Sequence, residues 1–154
     1  MEIKNKRVVV TGAASGIGRA LCEEFFANEV QSIVCVDMNI EGAEETAKNV
    51  NGIAISADVS VEKDIINVIK KANEFSGGID IFCSNAGIGG KPGLLNSEPS
   101  DWDKIWGVNV MSHIHAAKNV LPQMIEQGGG YLMNTSSAAG LLTQLGAAGY
   151  AVTK

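Results

Sequence analysis

The sequence has few features that would mark it as a membrane, nucleic-acid-binding or disordered protein. Aromatic residues make up only 5% of its 154 residues, and there are only 3 prolines. No apolar run approaches the ~20 residues that a membrane-spanning helix needs. Basic residues number 12 and acidic residues 17, so the net charge of −5 argues against a nucleic-acid partner held by bulk positive charge. The 45% hydrophobic content excludes intrinsic disorder and predicts a single domain over 1–154.

Cysteine is also scarce, and its pattern indicates a reducing compartment. The three cysteines are odd in number, widely spaced and set in apolar surroundings: Cys22, Cys35 and Cys83. They are expected to be reduced core residues of a cytoplasmic protein, and no zinc-site spacing is present. The polar N-terminus, 1–7, runs directly into a strand-like segment, so we expect no signal peptide. His113 and His115 face different sides of a helix, so we expect no shared metal.

The sequence does contain a regular alternation of strand-like and helix-like segments. Short β-branched or apolar runs predict five strands, at 7–11, 32–37, 52–57, 79–84 and 131–135. Helical patterns lie between them, at 17–27, 41–50, 60–75 and from Ser100 to the glycines at 128–130. Because strands that alternate with helices form right-handed βαβ units, we expect an α/β protein with a Rossmann-type doubly wound parallel sheet.

Two serines are predicted to begin helices. Ser60 precedes Glu62 and Asp64, which lie where the helix dipole favours acidic residues. Ser100 precedes the longest predicted helix. The apolar stripe of that helix comprises Trp102, Ile105, Trp106, Val110, Ile114, Ala117, Leu121 and Met124. We expect this stripe to face the core; the alternative is that Trp102 and Trp106, four residues apart, form a surface for a partner.

A glycine-rich turn joins the first predicted strand to the first helix. Its residues are Thr11, Gly12, Ala13, Ala14, Ser15, Gly16, Ile17 and Gly18. Gly12 allows a tight turn, Gly16 lets the backbone approach a pyrophosphate, and Gly18 permits close packing of the helix on the strand. The N-terminus of the helix attracts phosphate groups, so the turn predicts a dinucleotide site.

Asp37 closes the second predicted strand, 19 residues after Gly18. A carboxylate at this position accepts hydrogen bonds from ribose hydroxyls and repels a 2′-phosphate, so NAD is favoured over NADP. Met38 follows it, and no basic residue stands in the turn before Gly16 to pair with a 2′-phosphate. The alternative interpretation is a structural turn and an ordinary aspartate at a strand end.

Tyr150 and Lys154 are four residues apart, so they share one face of a helix. An ammonium group beside a phenol favours the phenolate. A tyrosine in that setting can act as a general acid or base near neutral pH. The pattern alone is weakly specific, because it arises by chance in many proteins.

Together these features resemble the short-chain dehydrogenase/reductase family over 6–154. The turn at 11–18 resembles the cofactor turn of the family, and Asp37 resembles its NAD-selecting acid. Ser84 departs from the family pattern, which has Asn before Asn-Ala-Gly, and this difference concerns the sheet more than the chemistry. Other cofactor-binding positions implied by the resemblance are Asp58 and Val59, which meet the adenine, and Asn85, Ala86 and Gly87.

The resemblance also implies four catalytic residues. Asn109 matches the catalytic Asn of the family, and Ser137, 13 residues before Tyr150, matches its Ser better than Ser136 does. The implied reaction is hydride transfer between NAD(H) and a small secondary alcohol or ketone, with Ser137 holding the substrate oxygen and Tyr150 moving the proton. Lys154 would tune Tyr150 and bind the nicotinamide ribose, and Asn109 would hold a water that links Lys154 to solvent.

The sequence ends at Lys154, whereas family members continue with two further strands and a substrate-binding segment. We therefore expect the C-terminal strands of the family fold to be absent and 131–135 to form a sheet edge. One hypothesis is an NAD-dependent dehydrogenase, seen as part of a longer chain that forms a homo-oligomer. The second is a truncated nucleotide-binding module with little or no turnover. A third, a flavodoxin-like binder, would make Asp37, Ser137 and Tyr150 coincidences.

Overall fold

Five strands form one parallel sheet in the computed structural model, which describes residues 2–142 and 145–154. The strands are β1 (Arg7–Thr11), β2 (Ser32–Asp37), β3 (Ile53–Ser56), β4 (Ile81–Ser84) and β5 (Tyr131–Asn134). Their order across the sheet is β3-β2-β1-β4-β5, and every neighbouring pair is parallel. The predicted Rossmann-type sheet is confirmed, and the strand order reverses direction between β1 and β4.

Helices cover both faces of the sheet. They are α1 (Gly16–Ala27), α2 (Ile40–Asn49), α3 (Glu62–Ser76), α4 (Pro99–Trp106), α5 (Ser112–Glu126) and α6 (Ala148–Thr153). Val8 of β1 packs in one cluster with Phe25 of α1, and α2 closes the same side. Val9 faces the other way, in a cluster with Ile65 of α3 and Val120 of α5. Burial on both faces explains why the strands are continuous apolar runs rather than alternating ones.

The predicted helix starts are each displaced by one or two residues. Val61, rather than Ser60, occupies the N-cap position of α3. Ser60 instead donates its hydroxyl to Asp58 at 2.6 Å and therefore belongs to the preceding loop. Helix α4 begins at Pro99 and not after Ser100, because Glu98 and Asp101 form a reciprocal capping box around its first turn.

A π-helical segment, Gly107–Met111, joins α4 to α5 in one long helical stretch. The buried residues of this long helical stretch are Ile105, Asn109, Ser112, Ala116, Val120 and Met124. The predicted apolar stripe is therefore only partly right: Ile105 and Met124 are buried, but the others are not, and Trp106, Ile114 and Leu121 are 47%, 49% and 43% exposed. Two of the buried positions, Asn109 and Ser112, are polar, so hydrophobicity alone selects the neighbouring face of the helix.

The three cysteines are free and buried, as expected. The Sγ atoms of Cys22 and Cys35 are 3.6 Å apart between α1 and β2. Burial raises the pKa of the Cys83 thiol to about 12, which keeps it protonated. In the described ranges, no three His, Cys, Asp or Glu side chains are grouped to hold a metal ion. Those ranges also contain no helix that is both long and apolar enough to cross a bilayer.

An ion pair closes the end of the sheet at which β1 and β4 begin. The Asp80 carboxylate accepts hydrogen bonds from the backbone N–H, Nε and Nη2 of Arg7, each at 2.8 Å. Arg7 also donates from Nη1 to the Gly77 carbonyl at 2.8 Å. The two side chains are only 20% and 18% exposed, so this pair ties α3, β1 and β4 together at a largely buried point.

Replacing Asp80 with asparagine is expected to lower the free energy of unfolding by about 1–3 kcal/mol near neutral pH. Hydrogen bonding from the Arg7 guanidinium holds the pKa of the Asp80 carboxyl below its ordinary range. The contribution of the pair is therefore present above the ordinary aspartate pKa of about 3.9 and is lost as the pH falls through the lower folded-state value. Urea unfolding at several pH values should show the difference between the two proteins shrinking in acid. A difference that is unchanged in strong acid would contradict this account.

Candidate cofactor and catalytic site

A long cleft runs along the carboxyl ends of the strands, where ligands bind in doubly wound sheets. It has two adjoining lobes that share a floor of Gly12, Asp37, Ala86, Gly87 and Ile88. The α1 lobe, of about 640 Å³, is bordered by the glycine turn and α6. The α4 lobe, of about 620 Å³, is bordered by the loop after β3 and by the start of the π-helical segment. The cleft crosses the point between β1 and β4 where the strand order reverses.

The glycine turn forms the wall of the α1 lobe. Gly12 has φ +71°, and a Cβ there would lie 2.9 Å from the Cα of Ala86. Gly16 has φ +54° and open space around it, so its backbone is accessible from the cleft. Ser15 occupies the N-cap position of α1, and Ile17 is 63% exposed. The free backbone N–H groups of this first turn provide a cradle for a phosphate.

Asp37 stands at the end of β2 and lines both lobes. One carboxylate oxygen accepts the N–H of Ala14 at 3.0 Å, and the other accepts the N–H of Asn39 at 3.0 Å. These bonds fix the plane of the carboxylate against the glycine turn. Because a carboxylate offers about four acceptor positions, each oxygen can still accept a hydroxyl group.

The loop after β3 supplies the far wall of the α4 lobe. Asp58 and Val59, the two residues predicted to meet an adenine, both line it. The Asp58 carboxylate accepts the backbone N–H of Ser60 at 2.9 Å, and the Asp58 N–H donates to Asp64 at 3.0 Å. Met38, 67% exposed, lines the same lobe. The lobe thus combines an apolar surface with a fixed carboxylate, and this combination can hold a planar nucleobase.

Asn85 braces three strand ends beneath the cleft. Its Nδ2 donates to the carbonyl of Thr11 at 3.0 Å, and its Oδ1 accepts the hydroxyl of Thr135 at 3.0 Å. The Thr11 hydroxyl in turn accepts the N–H groups of Asn85 and Ala86 at 3.0 and 3.1 Å. Sequence reasoning missed Thr11 and Thr135 as supporting residues. The sequence signal for these two residues is a threonine at the carboxyl end of a predicted strand, and threonine is common in β-strands.

The predicted catalytic residues from the end of the chain line the α1 lobe. Ser136, Ser137, Tyr150 and Lys154 all border it, together with the glycine turn. The Ser137 oxygen accepts the N–H of Ala139 at 3.2 Å, which leaves its hydroxyl proton available to a ligand. Lys154 donates from Nζ to the carbonyl of Thr135 at 2.6 Å and is held at the end of β5.

Asn109 lies behind this lobe rather than in its wall. It is 1% exposed, and the π-helical segment carries it toward the loop after β4. Its Oδ1 accepts the N–H of Ile88 at 2.8 Å, and its Nδ2 donates to the carbonyl of Ile88 at 3.0 Å. Ile88, which the sequence reasoning did not select, therefore connects Asn109 to the cleft.

Comparison with known proteins agrees with this arrangement. The profile of the family described as short chain dehydrogenase matches residues 6–154. The chain is 31% identical to 3-oxoacyl-acyl-carrier-protein reductase of Thermotoga maritima, covering 100% of this chain and 64% of that protein. It is 34% identical to 2-(R)-hydroxypropyl-CoM dehydrogenase of Xanthobacter autotrophicus, covering 95% of this chain and 62% of that protein.

A solved structure is also similar over nearly the whole chain. It is a short-chain dehydrogenase/reductase of Burkholderia phymatum in complex with NAD, with a TM-score of 0.94 and 28% identity. The match covers 99% of this chain and 56% of that one. The chain thus spans between 56% and 64% of the length of the three proteins. Sheet order, cleft and sequence profile agree, and the chain belongs to the short-chain dehydrogenase/reductase family.

Proposed function

We propose that the protein is an oxidoreductase that transfers a hydride between NAD(H) and a small secondary alcohol or the corresponding ketone. The observation that carries this proposal is the common lobe that Ser137, Tyr150 and Lys154 share with the glycine turn. A dinucleotide held on that turn and a substrate held by those side chains would meet in one space. The names of the two curated relatives, a reductase and a dehydrogenase, support the same class of reaction.

The residues of the cleft fit NAD. A Cβ at Gly12 or Gly18 would collide with neighbouring backbone, so glycine is what lets α1 begin this close to β1. The first turn of α1 lines the lobe, where its N–H groups would bind a pyrophosphate. Asp37 would bind the adenosine ribose, and Asp58 with Val59 would bind the adenine. The nicotinamide half would be held by the remaining predicted cofactor residues, namely Asn85, Ala86, Gly87, Tyr150 and Lys154. When bound, the nicotinamide supplies the hydride chemistry.

Tyr150 carries the proton transfer in this proposal. In oxidation its deprotonated oxygen accepts the proton of the substrate alcohol, and in reduction its hydroxyl group donates a proton to the carbonyl oxygen. Lys154, whose Nζ is held by the Thr135 carbonyl, binds a ribose hydroxyl of the cofactor. Ser137 donates to the substrate oxygen, and Asn109 supports the proton path behind Lys154.

The direct test is turnover by the purified protein, followed by the absorbance of NADH. A panel of secondary alcohols with NAD, and of ketones with NADH, covers both directions. Turnover that requires Ser137, measured with Ser137→Ala, would support the proposal. Tight NAD binding with no turnover on any substrate would instead indicate a nucleotide-binding module.

Cofactor preference gives a second prediction. We expect the protein to bind NADH more tightly than NADPH. Asp37→Asn should reduce the ratio of the two dissociation constants by about tenfold or more, since a hydrogen bond to a charged group is worth about 1.5–3 kcal/mol. Fluorescence titration with both cofactors measures this. Glu41→Gln, at an exposed position in the first turn of α2, removes the same charge and should leave the preference unchanged. Equal affinity of the unaltered protein for both cofactors would contradict the assignment of Asp37.

The proposed function also includes the oligomeric state of the protein. We propose that 1–154 acts as one NAD-binding unit and that the protein forms a homo-oligomer. An exposed apolar face on α5 supports this, because Ile114, Leu121 and Ile125 are 49%, 43% and 70% exposed. Large apolar patches of this kind mark interaction surfaces. The native mass in solution tests the oligomeric state.

A further inference from the structure

Thr46 on α2 is a buried polar residue that the proposed roles do not use. It shares the buried face of the helix with Ala43 and Ala47. Its Oγ1 is 2.8 Å from the carbonyl oxygen of Ala13 in the glycine turn and 3.1 Å from that of Gly42, one turn earlier in α2. A helical threonine commonly bonds to the carbonyl four residues before it, and here the shorter contact reaches the glycine turn instead.

Helix α2 lies directly against the glycine turn at this point. A Cβ on Gly42 would be 2.8 Å from the Cβ of Ala14 and 3.1 Å from its carbonyl oxygen, so glycine is what allows this approach. Ala13 is fully buried, and in the described part of the chain no backbone N–H donates to its carbonyl. The Thr46 hydroxyl therefore satisfies an acceptor that would otherwise be buried without a partner.

The carbonyl of Ala13 and the N–H of Ala14 belong to one peptide group. Because that group is planar and trans, the two point in opposite directions. The carbonyl accepts from Thr46, and the N–H donates to a carboxylate oxygen of Asp37 at 3.0 Å. The position of the Thr46 hydroxyl therefore fixes the direction of the N–H group that Asp37 accepts.

This N–H group determines how the Asp37 carboxylate is held. The other carboxylate oxygen accepts the N–H of Asn39 at 3.0 Å, so two hydrogen bonds fix the plane of the carboxylate. With the Asn39 bond alone, the carboxylate would be free to rotate, and its remaining acceptor positions would no longer be in one place. A group that is oriented before its ligand arrives binds more tightly, because less freedom is lost on binding.

We propose that Thr46 is a positioning residue for cofactor selection, whose hydroxyl orients the Ala13–Ala14 peptide group and through it the Asp37 carboxylate. The inference rests on the proposed function, because Asp37 selects a cofactor only if the cleft binds NAD(H). Thr46 borders neither lobe of the cleft, so it acts through the peptide group and not by contact with a ligand.

Thr46→Val is the main test, because valine keeps the shape of the side chain and removes the hydroxyl. We expect the affinity for NADH to fall by about tenfold, since the Ala13 carbonyl loses its donor and Asp37 loses its orientation. The affinity for NADPH should fall less, because its 2′-phosphate gains nothing from an oriented carboxylate. Thr46→Ser keeps the hydroxyl and should restore both affinities in a fluorescence titration. Thr46→Ala also removes the hydroxyl and should repeat the valine result if the valine variant does not fold.

A double-mutant cycle with Asp37→Ala separates positioning from general damage to the turn. Because Thr46 acts through Asp37 in this proposal, Thr46→Val should reduce NADH affinity by about threefold or less in the Asp37→Ala background. A tenfold loss in both backgrounds would mean that Thr46 supports only the fold, and would overturn the proposal.

A further measurement needs neither turnover nor cofactor. The solvent exchange of the Ala14 backbone amide can be followed by NMR in the free protein, with the Val10 amide in the central strand as the reference for global opening. Relative to Val10, exchange at Ala14 should be slow in the unaltered protein and in Thr46→Ser, and clearly faster in Thr46→Val. Unchanged relative exchange in folded Thr46→Val would also overturn the proposal. Failure of the unaltered protein to bind either cofactor, with the exchange pattern as expected, would contradict the proposed function alone.

Discussion

Replacing Tyr150 with phenylalanine is expected to lower kcat by about 10²–10⁴-fold, the usual contribution of a positioned acid or base. Phenylalanine retains the ring and loses the hydroxyl group that exchanges a proton with the substrate alcohol in the proposed mechanism. Tyr150 borders the α1 lobe together with the glycine turn, so its hydroxyl group is placed for a substrate held there. Cofactor affinity should change much less, because the phosphate cradle and Asp37 are untouched.

Tyr131 provides a matched control, since the chain contains 2 tyrosines. It begins β5, at the opposite end of the parallel sheet from the cleft, and is 47% exposed. Tyr131→Phe should therefore retain full turnover. Steady-state kinetics and NAD titration of the two variants separate the effects on chemistry and on binding. If Tyr150→Phe kept wild-type kcat, another group would have to move the proton and the proposed mechanism would be wrong.

The sheet could be predicted from the sequence because its strands carry a strong local signal. The runs RVVVT and SIVCVD appear as Arg7–Thr11 and Ser32–Asp37, with the predicted bounds. β-Branched residues in short uninterrupted runs fit strands that are buried on both faces. The predicted bounds of β3 and β4, 52–57 and 79–84, are too wide by one or two residues, because the apolar runs continue beyond the paired residues.

The long helical stretch shows where local patterns fail. Its spacing predicts an apolar stripe through Ile114 and Leu121, but the buried face carries Asn109 and Ser112 instead. A polar side chain is buried where it has a hydrogen-bond partner, and the partner of Asn109 is the backbone of Ile88, in a loop that the local pattern does not reveal. The residue that misleads the hydrophobic pattern is therefore also part of the site.

Within the site, the residues that line the cleft could be predicted from the sequence, and the residues that support them from behind could not. Residues in the cleft wall, such as Asp37 and Tyr150, belong to spaced motifs whose chemistry can be stated in advance. Supporting residues such as Thr11 and Thr135 act through hydrogen bonds between distant segments. A threonine has many ordinary uses in strands and helices, so only the folded arrangement distinguishes these two.

Gly18→Ala is expected to destabilise the fold and to weaken NAD binding together. A Cβ at Gly18 would fall on the carbonyl group of Gly12 and within 2.9 Å of Nδ2 of Asn85. Neither neighbour can yield easily, because Gly12 is in a tight turn and Asn85 braces three strand ends. Helix α1 must therefore move away from β1, at a cost of about 1–3 kcal/mol or more. The same movement displaces the N–H groups that form the phosphate cradle.

Gly89→Ala separates this steric effect from the general consequence of losing a glycine. Gly89 also borders the α1 lobe, but a Cβ there would have no atom within 4 Å, and its backbone is not in the left-handed region. Urea unfolding should show a change of at most about 0.5 kcal/mol for Gly89→Ala, as at open surface positions, against the larger loss for Gly18→Ala. Normal stability and normal NAD affinity in Gly18→Ala would contradict this account. The close contact between α1 and the turn would then not determine the geometry of the phosphate cradle, and the phosphate would have to bind elsewhere in the cleft.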